Sequence, residues 1–310
     1  MTVSSGAVLA SMAALCWGSA TVMSKSVLDS FPPVFLLAVQ LVASVVSLWI
    51  FILVRRQPVP RLAPAEVARF ASLGLLEPWL AYLLGLIGLA VTRASNATLI
   101  QASEAIMIIA ISALLFRVKP TAQFIALSLV AVGGLLIALG MAAPGNAGDG
   151  GSFTGDALIF AGTMAAALYV VLSARFAARI DPLYIVAWQQ TAALGFAVLL
   201  LPVEWMRSPE TWIPATASMS VWLLAALSGI VQYALAFSLY LSALATLSAN
   251  YAGSFLNLIP LFGLAGAFLF LHEKLSAVQL SGAAITIIAV TLLNLKGNLK
   301  CLQQNNHAPK

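Results

Sequence analysis

Long apolar runs, broken at Pro, Gly and charged residues, organise this chain. They predict ten segments, at about 6–28, 33–54, 68–91, 95–116, 121–141, 155–176, 182–203, 220–243, 248–270 and 277–295. Each is close to the 20 or so apolar residues that, at a 1.5 Å rise, cross roughly 30 Å of hydrocarbon. Stretches such as Ala126 to Ala142 are continuously apolar, whereas a transmembrane β-strand alternates apolar and polar positions. The pattern therefore predicts an all-α polytopic membrane protein. Only Val91–Ala94 separates the third and fourth segments, and Leu244–Leu247 the eighth and ninth. Both junctions read as tight helical hairpins.

Composition narrows the class further. The 310 residues are 62% hydrophobic and 8% charged, with a mean hydropathy of +1.01. A soluble protein carries about 25% charged residues, so this chain lacks the polar surface to coat a water-soluble globule. Disordered chains and nucleic-acid binders fall with the soluble folds, despite a pI near 9.4. Cys16 lies in an apolar segment and Cys301 in the polar tail, at depths too different for a disulfide. Met1 to Ser5 has no basic region, and the apolar stretch after it is too long for a cleaved signal, so the first helix is expected to stay.

Charge then sets the sidedness. With ten spans, one side gathers Arg55, Arg56, Arg61, Arg69, Arg117, Lys119, Arg175, Arg179, Lys296, Lys300 and Lys310. The other holds only Lys25, Arg93, Arg207 and Lys274, and together they use all 15 basic residues. The positive-inside rule puts the first side, with both termini, in the cytoplasm. An odd span count would spoil the bias. The Gly-rich stretch 142–154 falls near the middle and points to an internal repeat. A shift of 149 pairs Pro33 with Pro182 and Gln40 with Gln189; a shift of 154 pairs Thr92 with Thr246 and Asn96 with Asn250. Two five-helix halves, 1–141 and 155–296, follow, with a cytoplasmic tail at 297–310. Five being odd, the second half is inverted, an architecture of secondary transporters that hold substrate between the halves.

The run Ala243-Leu-Ala-Thr246-Leu-Ser-Ala-Asn250, then Pro260 and Leu261, Phe270-Leu-His-Glu273-Lys-Leu275, and Gln279 and Gly282 resembles the last three helices of the drug/metabolite transporter superfamily. More narrowly, it resembles the EamA-type ten-helix carriers. Trp17-Gly18 followed by Lys25 resembles that family's first helix, and the likeness spans about residues 6 to 295. With the helix-four run Gln101-Ala-Ser-Glu104, the chain looks similar to bacterial inner-membrane exporters of aromatic amino acids. The resemblance implies efflux of small metabolites through a cavity lined by helices one, three, four, six, eight and nine. The first half departs from the second: Ile106 stands where Pro260 does, and no Glu-Lys loop matches Glu273-Lys274.

Polar groups inside lipid-embedded helices are costly and mark substrate or ion pathways. Glu104, about ten residues into helix four, is the first candidate, with Gln101 one turn before it on a shared face. A carboxyl at that depth can carry a proton or pair with a substrate ammonium; the bland reading is a hydrogen-bonded packing residue. Pro78 and Tyr82 share a face of helix three, and Pro78 is expected to kink it. Trp17 and Tyr82 read equally as aromatic walls for a substrate or as interior packing. Helix eight adds Tyr233 and Phe237 beside Gln232, and helix nine adds Ser254, Asn257 and Pro260 at three-residue spacing. Pro78 and Pro260 are the expected gating kinks. Gln40 and Gln189, like Asn96 and Asn250, read as interhelical packing. Trp49, Trp79, Trp205 and Trp212 read as interfacial belt. Lys25 and Glu77 read as span-end residues that snorkel, and Glu273-Lys274 as a solvated pair.

The expected function is export of small neutral, aromatic amino acids across a bacterial inner membrane by alternating access. Its partners are the substrate, membrane lipid and, as a candidate co-substrate, protons. A broad efflux carrier of lipophilic cations, using Glu104 and the cavity aromatics, is the alternative. Carriers of anionic nucleotide sugars or phosphates need cations facing the cavity, and Lys25 and Arg93 both fall at span ends. An enzyme is not expected: His272 and His307 are the two histidines, and no G-x-x-x-x-G-K-[ST] phosphate loop occurs. No metal or cofactor is implied.

Overall fold

The computed structural model describes residues 3–55, 63–116, 122–138, 152–173, 182–207, 217–244 and 255–306. Among these no strand occurs. The helices are α1 (Val3–Val27), α2 (Pro33–Val54), α3 (Pro64–Gly74), α4 (Ala81–Val91), α5 (Ala94–Gln101), α6 (Glu104–Phe116) and α7 (Ala122–Ala138). They continue as α8 (Phe153–Ser173), α9 (Pro182–Arg207), α10 (Met219–Gly229), α11 (Ala236–Leu244), α12 (Ile259–Phe270) and α13 (Ala277–Asn306). Wide π-type turns, Leu75–Leu80 and Ile230–Leu235, join α3 to α4 and α10 to α11.

Among the described residues, six helical rods are long and apolar enough to cross a membrane: Ser5–Val27, Pro33–Val54, Pro64–Val91, Phe153–Leu172, Leu183–Arg207 and Met219–Ala243. Ile125–Ala138, Ile259–Phe270 and Ala277–Leu292 are shorter apolar helices. Helices suit this chain because hydrocarbon offers no partner for a free N–H or C=O, and a helix satisfies its own. Pro starts α2, α3 and α9, where its missing N–H costs no hydrogen bond. The helix α13 runs on to Asn306, so residues 297–306, expected as a tail, prolong the last helix. Most of the 142–154 linker lies outside the described residues.

Lipid tails are as apolar as leucine, so helices associate here through close packing and shared hydrogen bonds. The pairs α2 with α9 and α7 with α13 pack along their lengths. Likewise α4 packs on α8 while α1 packs on α11, and α3 packs on α9 while α10 packs on α2. Glycines make two of these close approaches possible. A Cβ on Gly229 would lie 2.3 Å from the backbone oxygen of Gln40, and one on Gly74 2.5 Å from that of Gln189. The backbone of each glutamine thus rests on a glycine of the facing helix. The largest core cluster gathers side chains such as Leu37, Leu41, Leu86, Val186, Tyr233 and Phe237, from α2, α4, α9 and the α10–α11 rod.

Candidate functional site

Pro78 interrupts the third rod in an unexpected way. It has no N–H to give to the helix ladder, and the chain responds with the π-type turn rather than a smooth bend. Glu77 adopts extended angles (φ −147°, ψ 127°) inside that turn, and the Glu77–Pro78 peptide is cis. Glu77 is buried, at 8% exposure. Its expected placement as a snorkelling span-end residue is corrected: the turn aims the carboxyl inward. No hydrogen bond is made by that carboxyl among the described residues.

Glu77 and Glu104 lie within electrostatic reach of each other, and both charges are felt at Tyr82 and Tyr240. Around them stands an aromatic cluster from three rods. Trp17 of α1 meets Phe237 edge-on at 5.3 Å between ring centres and Tyr240 at 5.5 Å. Tyr82 of α4 meets Tyr233 at 4.7 Å and Phe237 at 6.5 Å. These edge-to-face contacts are the favourable geometry for aromatic quadrupoles. The indole Nε1 of Trp17 is buried without a partner among the described residues, so one donor in the cluster is free for another molecule.

A glutamine–serine network holds this cluster from behind. Gln40 Nε2 donates to Ser24 Oγ (2.9 Å) and Ser228 Oγ (2.7 Å), and Ser24 Oγ donates to Gln232 Oε1 (3.4 Å). Gln190 Nε2 donates to the backbone carbonyl of Tyr233 in the second π-type turn (3.0 Å), and Ser44 Oγ donates to Gln190 Oε1. A π-type turn loosens the backbone ladder, and Gln190 takes up one carbonyl there. Replacing Gln190 by Leu is expected to cost about 1–2 kcal/mol, the upper range for interhelical bonds in membranes. Thermal unfolding of the detergent-solubilised protein checks it; an unchanged midpoint would refute the bracing role.

The expected site residues divide on inspection. Trp17, Tyr82, Tyr233, Phe237 and Glu104 come together, and Pro78 shapes the turn beside them. Gln101 ends α5 and Glu104 begins α6, with Ala102 and Ser103 breaking the helix between them. The single continuous helix face expected for that pair is therefore corrected. The residue Ser254 lies outside the described residues, as does the side chain of Asn257. Pro260 is buried at the start of α12. Sequence reasoning missed Glu77 and Tyr240. Tyr240 follows Phe237 at helical spacing, a signal that was available.

Other polar and aromatic residues divide between packed and exposed positions. Trp79, expected in an interfacial belt, packs its ring on Phe196 (5.8 Å). Trp49, expected there too, packs on Trp188 (5.6 Å) and donates to Thr191 Oγ1 (3.1 Å). Trp205 is 51% exposed, and Trp212 lies outside the described residues. Gln40 is fully buried in the network above, and Gln189 accepts from the Tyr169 hydroxyl at 2.9 Å. Among the described residues, no group of three His, Cys, Asp or Glu is placed to hold a metal ion.

Apolar rods that converge on carboxyls, aromatics and loosened backbone define a multi-pass membrane protein built to handle a small molecule. The chain belongs to the EamA-like transporter family, whose model matches residues 4–140 and again 153–295. It is therefore a transporter of the drug/metabolite transporter superfamily. A chloroplastic WAT1-related protein of Arabidopsis thaliana is 24% identical over 91% of this chain and 68% of its own length. An uncharacterized transporter of Synechocystis sp. is 27% identical over 92% of this chain and 88% of its own. The uncharacterized transporter YvbV of Bacillus subtilis is 29% identical over about half of each chain (53% and 53%). A solved crystal structure shares the fold, with a TM-score of 0.67 at 18% identity over 93% of this chain and 98% of the other.

Proposed function

We propose that the protein is a secondary carrier exporting small aromatic amino acids across a bacterial inner membrane. Ten spans, arranged as two inverted five-helix repeats, would rock around the Trp17–Tyr82–Glu104 cluster. The family model's two successive matches support the repeat. So do the reciprocal helix pairings, the paired π-type turns and the reciprocal Gly74–Gln189 and Gly229–Gln40 contacts. The asymmetry of the 15 basic residues supports cytoplasmic termini. Pro78 and Pro260 are the gating points, and Gln101, Ser254 and Asn257 complete the binding residues in this reading.

The observation that carries the proposal is the meeting of a buried and a half-buried carboxyl, Glu77 and Glu104, with five aromatic rings. An amino acid's ammonium pairs with Glu104 or Glu77, its ring stacks among the aromatics, and its carboxylate takes the free indole N–H of Trp17. A zwitterion's ammonium pairs with one carboxylate, so the other calls for a proton in this apolar setting. A monocation instead replaces a proton directly. The second carboxyl, Glu77, therefore favours the other reading, efflux of lipophilic cations.

Reconstituted vesicles loaded with labelled tryptophan, threonine or a lipophilic cation, with and without a pH gradient, separate the two. Tryptophan flux well above threonine supports amino-acid export. Flux of the cation alone, driven by a proton gradient, overturns it in favour of drug efflux.

A further inference from the structure

One end of the bundle is tied together around the hairpin between α4 and α5. That hairpin spends only Thr92 and Arg93 on its turn, which leaves the last carbonyls of α4 and the first amides of α5 without helical partners. Lys25 and Glu273 supply them from two separate elements, and Asp156, from a third, binds the hairpin's side chains. Lys25 Nζ, at the end of α1, donates to the carbonyl of Leu89 (2.8 Å) and reaches that of Ala90 (3.5 Å). Glu273, in the connection between α12 and α13, accepts from the backbone N–H of Ala94 (2.9 Å) and Ser95 (3.0 Å) with its two carboxylate oxygens. Asp156, at the start of α8, accepts from Thr92 Oγ1 (2.6 Å) and from Asn96 Nδ2 (3.2 Å).

Each group has the charge its helix end calls for: a cation on the carbonyl end of α4, a carboxylate on the amide end of α5. The charge of Glu273 also acts on Lys25, so the elements gripping the hairpin are themselves coupled. The chain is shaped for the grip. His272 takes a left-handed φ of 55°, and Glu273 N–H closes back on the Ala267 carbonyl (3.1 Å), which turns the carboxylate toward α5. Neither Lys25 snorkelling nor a solvated Glu273, the sequence expectations, describes these two residues.

By sequence, the repeat-equivalent positions carry no matching set. Under the repeat shifts, the positions corresponding to Lys25 and Asp156 are Ala174 and Ala7, and the one corresponding to Glu273 is Lys119. Two alanines and a cation cannot supply a lysine and two carboxylates. The two halves are thereby unequal in sequence at these positions.

We propose that Lys25, Asp156 and Glu273 form a one-sided latch on the α4–α5 hairpin, which holds that end closed in the empty carrier and leaves the site facing the end that carries the N-terminus. The latch rests on the inverted-repeat reading above but not on the substrate. It deepens that reading by giving export a structural cause: the resting carrier presents its site to the cytoplasm, and release of the hairpin is the step that opens it outward.

The test is thiol accessibility in the full chain, with Cys16 and Cys301 replaced by Ser. A reporter is placed at Thr21→Cys, between Trp17 and Lys25 and buried at 5% exposure. Exposed Ser30→Cys, in a separate protein, identifies which vesicle orientation presents the hairpin end, so an error in the sidedness reading is detected independently. A membrane-impermeant maleimide should label Thr21→Cys slowly from that face. Glu273→Gln and Asp156→Asn, both isosteric, should each raise this rate at least tenfold, while exposed Lys274→Ala leaves it at the parent value. Variants that elute as the parent by size-exclusion chromatography yet label at the parent rate would overturn the latch. So would acceleration confined to the N-terminal face.

Discussion

A Glu77→Gln protein is expected to assemble in the membrane like the parent and to transport its substrate at least tenfold more slowly. Glutamine keeps the shape and length of the side chain, so a merely packed Glu77 would tolerate the change. The charge is what differs. Glu77 is 8% exposed inside a break in the helix, within reach of the Glu104 charge, with no hydrogen-bond partner among the described residues. An unpaired carboxyl in such a place costs free energy that a substrate ammonium or a proton can recover. Breaking a desolvated charge pair with a ligand costs about 2–5 kcal/mol, and about 1.4 kcal/mol is already tenfold. Initial rates in reconstituted vesicles, at matched protein incorporation, measure it. If Glu104 serves the same bound molecule, the Glu77→Gln/Glu104→Gln pair will lose less than the two single losses combined. Transport by Glu77→Gln at the parent rate would remove Glu77 from the site.

The second large effect falls on assembly. Gly229→Ala is expected to lower stability by about 1–3 kcal/mol, the usual cost of forcing extra volume into close packing. The new methyl would sit 2.3 Å from the Gln40 backbone oxygen and 2.4 Å from its Cα. Backbone cannot swing aside as a flexible side chain does. Moving α2 instead would strain the Gln40 bonds to Ser24 and Ser228. Gly74→Ala meets the Gln189 backbone at 2.5 Å and should behave alike. The control is Gly85→Ala, where a Cβ meets nothing within 4 Å; there, better helix propensity makes the change neutral or stabilising by up to about 1 kcal/mol. Thermal unfolding in detergent ranks the three. Equal midpoints for Gly229→Ala and Gly85→Ala would show that the α2–α10 contact is not close-packed.

The 149-residue match of Gln40 with Gln189 was legible because glutamine is rare inside spans, and both side chains are indeed buried in hydrogen bonds. Its glycine counterparts were not legible. A Gly within an apolar run carries no sign of which backbone it faces. Glu77 and Lys25 were misplaced for a related reason. Proximity to a span end makes snorkelling the default, and the choice between water and interior depends on what neighbouring rods offer. Here α4 offers Lys25 two carbonyls, and the turn at Pro78 offers Glu77 an inward path.

The sequence by itself determined the helical class, the membrane setting and the polar residues worth watching. Those follow from local rules: hydrocarbon demands internally satisfied backbone, and apolar runs, prolines and charges are written along the chain. Tertiary structure alone decided which polar residues meet. The aromatic cluster draws on α1, α4 and the α10–α11 rod, and the latch on α1, α8 and the α12–α13 connection. Those contacts join residues far apart in the chain, Ala94 with Glu273 and Trp17 with Tyr240 among them. Their partners are set by helix packing, which depends on the fit of facing surfaces rather than on any one segment's own pattern.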